Sequence, residues 1–370
     1  MSNQDNDSLN KKAKKYSNIR YALNIVDTVY LLILLFSFQG LGLSKILTRK
    51  LSSLFAANYL VIPAYFLIVY IGYCLLNFPL NFYQTFILEH KFALSCQKIS
   101  DWFKDQIKAG VISYIIGAIL IGAFYFMLKH FVYIWWLVIS LFWIFFSLIL
   151  AKLTPVVIIP LFFKYKRLSD ELLRERILRL AKNFKVKILD VFEIDFSKKT
   201  LKANAAFVGI GASKRVILAD TLKDKYSHNE IEVILAHEFA HYKLKHLLKL
   251  IIVNSLVIII SFYLIFKTSD YALGLFGLDS LSNVAVLPII FIYFVLFGIV
   301  TQPWENFISR RLERNADRLA LTITGLKEDF ISTMEKLANQ NLADRNPGPI
   351  IKFFFFDHPP IDERIGMAKK

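Results

Sequence analysis

Long apolar runs alternate along the chain with shorter polar, basic segments. A membrane-spanning helix needs about 20 consecutive, mainly apolar residues, and six stretches reach that length. They cover roughly residues 21–43, 59–80, 108–128, 131–153, 247–267 and 283–301. The fourth continues through residues 156–163, where Pro155 and Pro160 are expected to bend the helix. The pattern predicts a mainly α-helical protein that crosses the membrane six times.

The first large polar segment, residues 164–246, has a mixed pattern. Apolar residues recur at helical spacing over 169–184, which predicts an amphipathic helix. Short stretches rich in β-branched or aromatic residues predict strands over 187–195, 204–209 and 215–219. Ser227 and Glu230 have the spacing of a capping box, which predicts the start of a further helix. This segment is therefore expected to be α+β.

The second large polar segment, residues 303–370, is predicted to be helical from near Trp304 to about residue 340. Beyond that point Pro347, Pro359 and Pro360 predict irregular structure. We therefore divide the chain into four parts. They are an N-terminal membrane domain of four spans (1–163), a first polar segment (164–246), two further spans (247–302) and a C-terminal polar segment (303–370).

The composition agrees with a membrane protein. Of the 370 residues 56% are apolar and only 20% are charged, which excludes a disordered chain and makes a wholly soluble protein unexpected. The net charge of +16 would suit either nucleic acid or an anionic membrane face. Lysine and arginine cluster in the head, the 91–108 connection and the two polar segments, whereas 268–282 has none. The positive-inside rule then predicts cytoplasmic termini and cytoplasmic polar segments, and no nucleic-acid partner.

Three other features change the picture little. The two cysteines, Cys74 and Cys96, are too few for a disulfide framework or a cysteine zinc site. The first apolar run is too long for a signal peptide, and no small-residue cleavage site follows it. Asp27 lies inside this run near its cytoplasmic end. It is either a functional polar site in the membrane or a side chain that faces water or a neighbouring helix, and we favour the second interpretation.

The helix that begins at Ser227 carries the sequence His237-Glu238-Phe239-Ala240-His241. Histidines at positions i and i+4 share one helical face, so both rings can bind one metal ion. Glu238 lies at the flank, where it can accept a proton from the water that attacks the substrate. Incidental histidines on a solvated helix face are the alternative. His246, further along, is interpreted as a surface or membrane-edge residue.

A catalytic zinc site takes three protein ligands, and no further histidine follows at metzincin spacing. Glu313 and Asp317 share one face of the predicted helix after the sixth span. Glu313 is predicted as the third ligand, and Asp317 as acceptor of a hydrogen bond from a ligand imidazole. Without the histidine motif this pair would be an ordinary acidic face. His358 lies between aromatic residues and two prolines, and from its position alone it is a loop residue or a catalytic one.

Taken together, these motifs resemble the type I CAAX prenyl protease family, a family of integral-membrane zinc metalloproteases. The resemblance extends from about residue 20 to the end of the chain. Its motifs occur in order at 83–91, 151–163, 202–209, 215–222, 237–246, 310–317 and 358–364. Departures are Ala206 in place of an aromatic residue, Lys245 in place of glycine, 92–94 in place of His-Gly-Phe, and six spans instead of seven.

The resemblance implies roles that the residues alone do not. It implies a chamber enclosed by the membrane helices and a small zincin-like protease domain formed by the two polar segments, with one Zn²⁺ per chain. Asn204 would hold the substrate backbone as an added strand. His358 and Arg364 would position the substrate or stabilise the oxyanion.

We therefore predict a zinc-dependent endopeptidase embedded in a lipid bilayer, either the bacterial inner membrane or the endoplasmic reticulum. Its substrate would be a peptide or protein, with two alternatives for the class. One is a prenylated CAAX C-terminus, and the other is a damaged membrane protein cleared without a prenyl requirement. A third alternative is a non-enzymatic scaffold or transporter that keeps a structural zinc. The near absence of ionisable residues in the spans disfavours an ion transporter.

Overall fold

The fold was analysed on a computed structural model, which describes residues 3–55, 58–209 and 214–370. Within these ranges most of the chain is helical. The helices are α1 (Asn3–Gly40), α2 (Leu43–Leu54), α3 (Asn58–Phe82), α4 (Leu88–Lys91), α5 (Ile99–His130), α6 (Trp135–Leu153), α7 (Ile159–Phe162), α8 (Glu171–Asn183), α9 (Asp220–Lys223), α10 (His228–Lys243), α11 (His246–Leu275), α12 (Leu287–Thr324), α13 (Lys327–Asn341), α14 (Pro349–Phe355) and α15 (Ile361–Lys369). The strands are β1 (Tyr165–Arg167), β2 (Val191–Ile194), β3 (Ala205–Val208) and β4 (Arg215–Ala219).

Six helical segments of the described chain are long and apolar enough to cross a membrane, which confirms the predicted number. They are Asp7–Gly40, Leu60–Lys91, Ile99–His130, Trp135–Phe162, His246–Leu275 and Val284–Thr324. Each is longer than its apolar run because the helix continues into flanking polar residues. The fourth passes through a π-helical turn, Thr154–Ile158, which contains Pro155. Prolines and π turns both interrupt the regular hydrogen bonding of an α-helix.

Helix α12 corrects one prediction from the sequence. The sixth span and the helix expected to begin near Trp304 are one continuous helix with Pro303 inside it. A proline inside a helix costs about 3 kcal/mol, so a break was the reasonable expectation. Pro303 is buried, and α12 packs against α1, α10 and α11, so tertiary contacts hold the helix together through the proline. As a result one rigid element reaches from the membrane into the polar part of the protein.

The four strands form one mixed sheet in the order β1-β2-β4-β3. β1 pairs antiparallel with β2, β2 pairs parallel with β4, and β3 pairs antiparallel with β4. Three strands were predicted: β2 and β3 at greater length than observed, and β4 with the observed bounds. β1 was missed because three polar residues show no alternation of hydrophobic and polar positions. β3 lies at an edge of the sheet.

The two largest hydrophobic cores of the described chain support this arrangement. One lies between the membrane helices, where α2, α3, α5, α6, α11 and the start of α12 contribute large aliphatic and aromatic side chains. The other lies between the sheet, α8, α10 and the end of α12, with Phe239 and Ala316 fully buried. The second core fixes α10 against α12, and these are the two helices that carry the predicted metal ligands.

The C-terminal segment is more regular than predicted. Irregular structure was expected after about residue 340, but the chain forms α14 and α15. Both helices begin at a proline, since Pro349 opens α14 and Pro360 precedes α15. Proline is favoured at a helix start because its fixed φ suits the first turn and no hydrogen bond is lost there. Pro347 and Pro359 lie in the irregular stretches 343–348 and 356–360, as predicted, and Pro360 directly precedes α15.

Candidate metal centre and catalytic groove

The capping box predicted at the start of α10 is present. The Ser227 hydroxyl accepts from the backbone N–H of Glu230 at 3.2 Å, and the Glu230 carboxylate accepts from the backbone N–H of Ser227 at 2.7 Å. From this start, His237 and His241 fall one turn apart on the same face, with ring centroids separated by 4.7 Å. The cap therefore sets where the histidines lie along the helix.

Helix α12 brings Glu313 to these histidines. Its carboxylate lies 3.1 Å from Nε2 of His237 and 3.2 Å from Nε2 of His241. The three donor atoms lie within 4.8 Å of one another. The sequence predicted this set of three residues, and the structure brings them together.

The donor atoms fit a divalent cation. The two Nε2 atoms lie 3.0 Å apart and both face the Glu313 carboxylate. Oε2 of Glu313 is buried and has no hydrogen-bond partner in the described part of the chain. A metal ion between these atoms would satisfy all of them. Two imidazoles and one carboxylate are the ligand set of catalytic Zn²⁺ in the thermolysin class.

Asp317 lies one turn beyond Glu313 and is completely buried. Its Oδ1 is 2.7 Å from Nδ1 of His237, so the carboxylate faces the nitrogen that points away from the metal ligands. Arg364 donates to the same carboxylate from Nε at 2.8 Å and from Nη2 at 2.6 Å. Burial opposes protonation of His237, but Asp317 and Glu313 outweigh it and raise the pKa of His237 to about 9. Asp317 thus lies between Arg364 and His237. In this position its carboxylate can fix the orientation of the His237 ring.

His358 lies near the same centre, between α14 and α15. Its Nε2 is 3.4 Å from Glu313, and its Nδ1 is 2.9 Å from the carboxylate of Asp357. Burial opposes protonation, but the hydrogen bond to Asp357 and the charge of Glu313 raise the pKa of His358. The side chain is about half exposed, at 52%, so it can reach a bound molecule. Asp357 was not singled out from the sequence, although an acidic residue next to the histidine was a visible signal.

A groove with a volume of about 700 Å³ runs beside this centre. Asn204, His358 and Arg364 line it, together with Lys202 and Phe356. Asn204 is exposed and lies immediately before β3, and its backbone carbonyl accepts from the N–H of Ala219 at 3.1 Å. The three residues assigned to the substrate by resemblance therefore line one groove. Arg364 is largely engaged by Asp317, so its part in substrate binding stays a prediction.

The interpretation of His246 was right in one part and wrong in the other: it is the first residue of the candidate span His246–Leu275, but it does not lie at the surface. It was expected at the surface or membrane edge, but it is 1% exposed and its Nδ1 lies 3.1 Å from Nδ1 of His241. The cause is a break in the helix at Lys245, whose backbone is left-handed with φ 55°. A continuous helix would have directed His246 elsewhere. The signal in the sequence was a third histidine close to the motif. On an unbroken helix, its spacing from His241 would not have brought the two rings together.

Two protein-family models match this chain. The model of peptidase family M48 matches residues 167–370, which hold the whole metal centre. The chain belongs to peptidase family M48. A second model, described as the CAAX prenyl protease N-terminal domain with five membrane helices, matches residues 3–164. The described part of that range has four candidate spans in this M48 peptidase.

Relatives of this M48 peptidase include both bacterial and eukaryotic proteins. An uncharacterized metalloprotease, YhfN, of Bacillus subtilis is 30% identical over 97% of this chain and 85% of its own length. CAAX prenyl protease 1 of Saccharomyces cerevisiae is 30% identical over 79% of this chain and 68% of its own. The crystal structure of S. mikatae Ste24p superposes with a TM-score of 0.89 at 25% identity, covering 98% of this chain and 90% of that one.

These findings confirm the family predicted from the motifs, the mainly helical membrane fold and the enzyme class. This M48 peptidase is an integral, multi-pass membrane zinc metalloprotease with a Ste24p-like fold. The non-enzymatic alternative is therefore not retained. The His237, His241 and Glu313 cluster fits the zinc that the family implies.

Proposed function

We propose that this M48 peptidase is an endopeptidase that binds its substrate as an added β-strand and cleaves it at the centre formed by α10 and α12. The observation that carries the proposal is the convergence of His237, His241 and Glu313 beside a groove bounded by the start of edge strand β3. The three residues would hold one Zn²⁺. When bound, that ion supplies Lewis acidity, which polarises the scissile carbonyl and acidifies a water molecule.

The residues around the centre then have distinct roles. Glu238 follows His237 on α10 and is half-buried; it accepts a proton from the attacking water and returns it to the leaving amine. Asp317 holds the His237 ring through Nδ1. His358, kept oriented by Asp357, donates a hydrogen bond to the oxyanion that develops on the substrate carbonyl.

Edge strand β3 supports binding of an extended peptide. Neighbouring residues of an antiparallel strand alternate between bonding to their partner strand and facing away from it. The bond from Ala219 to the Asn204 carbonyl places Asn204 and Ala206 toward β4. The backbone groups of Ala205 and Phe207 therefore face the free edge. A substrate strand would pair with them, and the Asn204 side chain would reach its backbone.

Substitution of the proposed base tests the reaction. Glu238→Gln removes the proton acceptor and keeps the size of the side chain. We expect zinc content to stay at one ion per chain while hydrolysis of a quenched peptide by the purified full chain is lost. Chelation should abolish cleavage by the unaltered enzyme, and added zinc should restore it. Full activity of the variant would contradict the role of Glu238, whereas loss of zinc would point to a structural role.

Substitution at the free edge tests strand addition. Ala205→Pro removes an N–H that faces the substrate and leaves the bonds to β4 in place. Loss of one hydrogen bond of about 1 kcal/mol should raise KM about fivefold with little change in kcat. Ala206→Pro is the matched control, because it removes an N–H that faces β4 and should lower the unfolding temperature instead. An unchanged KM for Ala205→Pro would contradict strand addition.

Two substrate classes remain candidates. The yeast relative and others are named CAAX prenyl proteases, which favours a prenylated C-terminus. The B. subtilis relative is named only as a metalloprotease, which leaves general clearance of membrane proteins as the second candidate. Cleavage of matched peptides with and without a prenyl group separates the two. A large preference for the prenylated peptide supports the first class, and equal rates support the second.

A further inference from the structure

His246 is an unusual neighbour for a metal-binding histidine. It is buried to 1% exposure at the start of α11, and its Nδ1 faces Nδ1 of His241 at 3.1 Å. The ring centroids are 5.0 Å apart and nearly perpendicular, at 81°. Nε2 of His246 is buried and has no hydrogen-bond partner within residues 3–55, 58–209 and 214–370. The two Nδ1 atoms are within hydrogen-bond distance of each other.

The helix break at Lys245 produces this contact. An α-helix turns about 100° per residue, so five residues of continuous helix would place His246 about 140° away from His241. The left-handed backbone of Lys245, with φ 55°, ends α10 and redirects the chain. His246 then lies beside His241 on the side away from Glu313. Left-handed backbone costs a lysine about 1–2 kcal/mol, so the break is maintained by packing.

The positions of the ring protons follow from the groups that the two nitrogens of His241 face. Its Nε2 faces Glu313 and His237, so that atom must offer a lone pair if it binds a metal ion. The proton of a neutral His241 ring then lies on Nδ1. Nδ1 of His246 must accept it, because two N–H groups cannot face each other at 3.1 Å. The proton of His246 is consequently on Nε2.

We propose that His246 is a positioning residue, which fixes the ring orientation and tautomer of His241 through an imidazole–imidazole hydrogen bond. The inference rests on the proposed metal ligation by His241. The two ligand histidines are then oriented by different groups. His237 faces the carboxylate of Asp317, whereas His241 faces a neutral ring.

Zinc affinity of the purified full chain tests this role, measured by competition with a chromogenic chelator. His246→Phe keeps the ring size and removes the acceptor, and we expect zinc affinity to fall about 10- to 100-fold. His246→Asn keeps an acceptor oxygen near the position of Nδ1 and should restore most of the affinity. His130→Phe is the matched control, since this exposed histidine lies in another helix, α5, and bonds to the carbonyl of Phe126 in that helix.

Each outcome decides the matter. Unchanged affinity in His246→Phe would overturn the proposal, and so would an equal loss in His246→Asn and His246→Phe. A loss that Asn largely reverses, with similar unfolding temperatures of the metal-free variants, would support it. If His246→Phe does not fold, His246→Leu, which also lacks an acceptor, takes its place beside His246→Asn, and the same loss of affinity is expected. His241→Ala in the same assay distinguishes failure of the His246 proposal from failure of the proposed metal ligation. Retained zinc in that variant would refute the proposed ligand set itself.

Discussion

At the scale of single residues, the centre depends on pairs of charges that are almost fully buried. Asp317 is 0% exposed and Arg364 is 9% exposed, and they are joined by two hydrogen bonds. A buried ion pair does not by itself add much stability, because both ions lose their hydration. Removing one partner is costly, since the remaining charge stays buried. Arg364 therefore contacts the proposed metal ligand His237 indirectly, through Asp317, in addition to lining the groove.

Replacement of this arginine makes the point measurable. Arg364→Met leaves Asp317 buried beside His237 without its cation, and we expect a loss of about 3–5 kcal/mol in unfolding free energy. Zinc affinity should fall as well, because the His237 ring is less firmly held. Thermal or denaturant unfolding in detergent measures the first effect, and chelator competition the second.

Arg345→Met is the matched control. Arg345 pairs with Asp362 at 3.0 Å, and the two side chains are 26% and 50% exposed. A pair this accessible to water contributes about 0–1 kcal/mol. Equal losses in the two variants would show that burial of the Arg364 pair has no special importance.

At the scale of elements, the metal helix α10 depends on its N-terminal cap. Glu230 completes the capping box and also accepts from Ser332 at 2.6 Å and from Lys336 at 2.7 Å, both on α13. Burial alone would raise the pKa of this carboxyl, but the bonds to Lys336, Ser332 and Ser227 lower it below the usual 4.5. One carboxylate therefore begins α10 and joins it to α13.

A charge-neutral replacement should show this role and its pH dependence. Glu230→Gln is expected to destabilise the protein by about 1–3 kcal/mol at neutral pH. The pKa of Glu230 is lower in the folded protein than in the unfolded chain, so the carboxylate stabilises the fold fully at pH values above its unfolded-state pKa. This stabilisation is lost as pH falls through its folded-state pKa. The gap between variant and unaltered protein should therefore be full at neutral pH and close in acid, as pH falls through the lowered folded-state pKa. Glu335→Gln, an exposed position on α13, is the control and should change little at any pH.

At the scale of the whole molecule, the proposed substrate groove lies where the membrane helices and the two polar segments meet. The first helix contributes Tyr16 and Arg20 to the groove, and α12 carries Glu313 from the membrane core to the metal centre. Tyr16 and Lys202 both bond to Glu89 at the end of the second span. The protease segments are thus attached to the membrane domain around the site itself.

Orientation in the bilayer is the prediction that belongs to this scale. The distribution of lysine and arginine predicts cytoplasmic termini and a cytoplasmic site. In a chain with Cys74 and Cys96 replaced by serine, cysteine is introduced at exposed Lys12 or exposed Asp279. A membrane-impermeant maleimide should label Asp279→Cys but not Lys12→Cys in right-side-out vesicles. The pattern should reverse in inverted vesicles, and both should react in detergent. Labelling of Lys12→Cys from outside would refute the orientation.

Local sequence determined a large part of this protein. The length of each apolar run determines the spans, because a helix must be about 20 apolar residues long to cross the bilayer core. The capping box determines where α10 begins. Spacing of four residues alone places His237 and His241 on one face. These features depend on residues that are close together in the chain, so they can be predicted from the sequence.

Only the tertiary structure decided which distant groups meet. Pro303 lies inside a helix because packing on α12 outweighs its local cost, and Glu313 reaches the histidines along that helix. His246 faces His241 because one left-handed residue redirects the chain, against the local preference of lysine. The pairing of Asp317 with Arg364 joins segments far apart in the sequence. At Pro303 and Lys245 the long-range contacts outweigh a local preference, and in the other cases they join residues whose local patterns carry no information about each other.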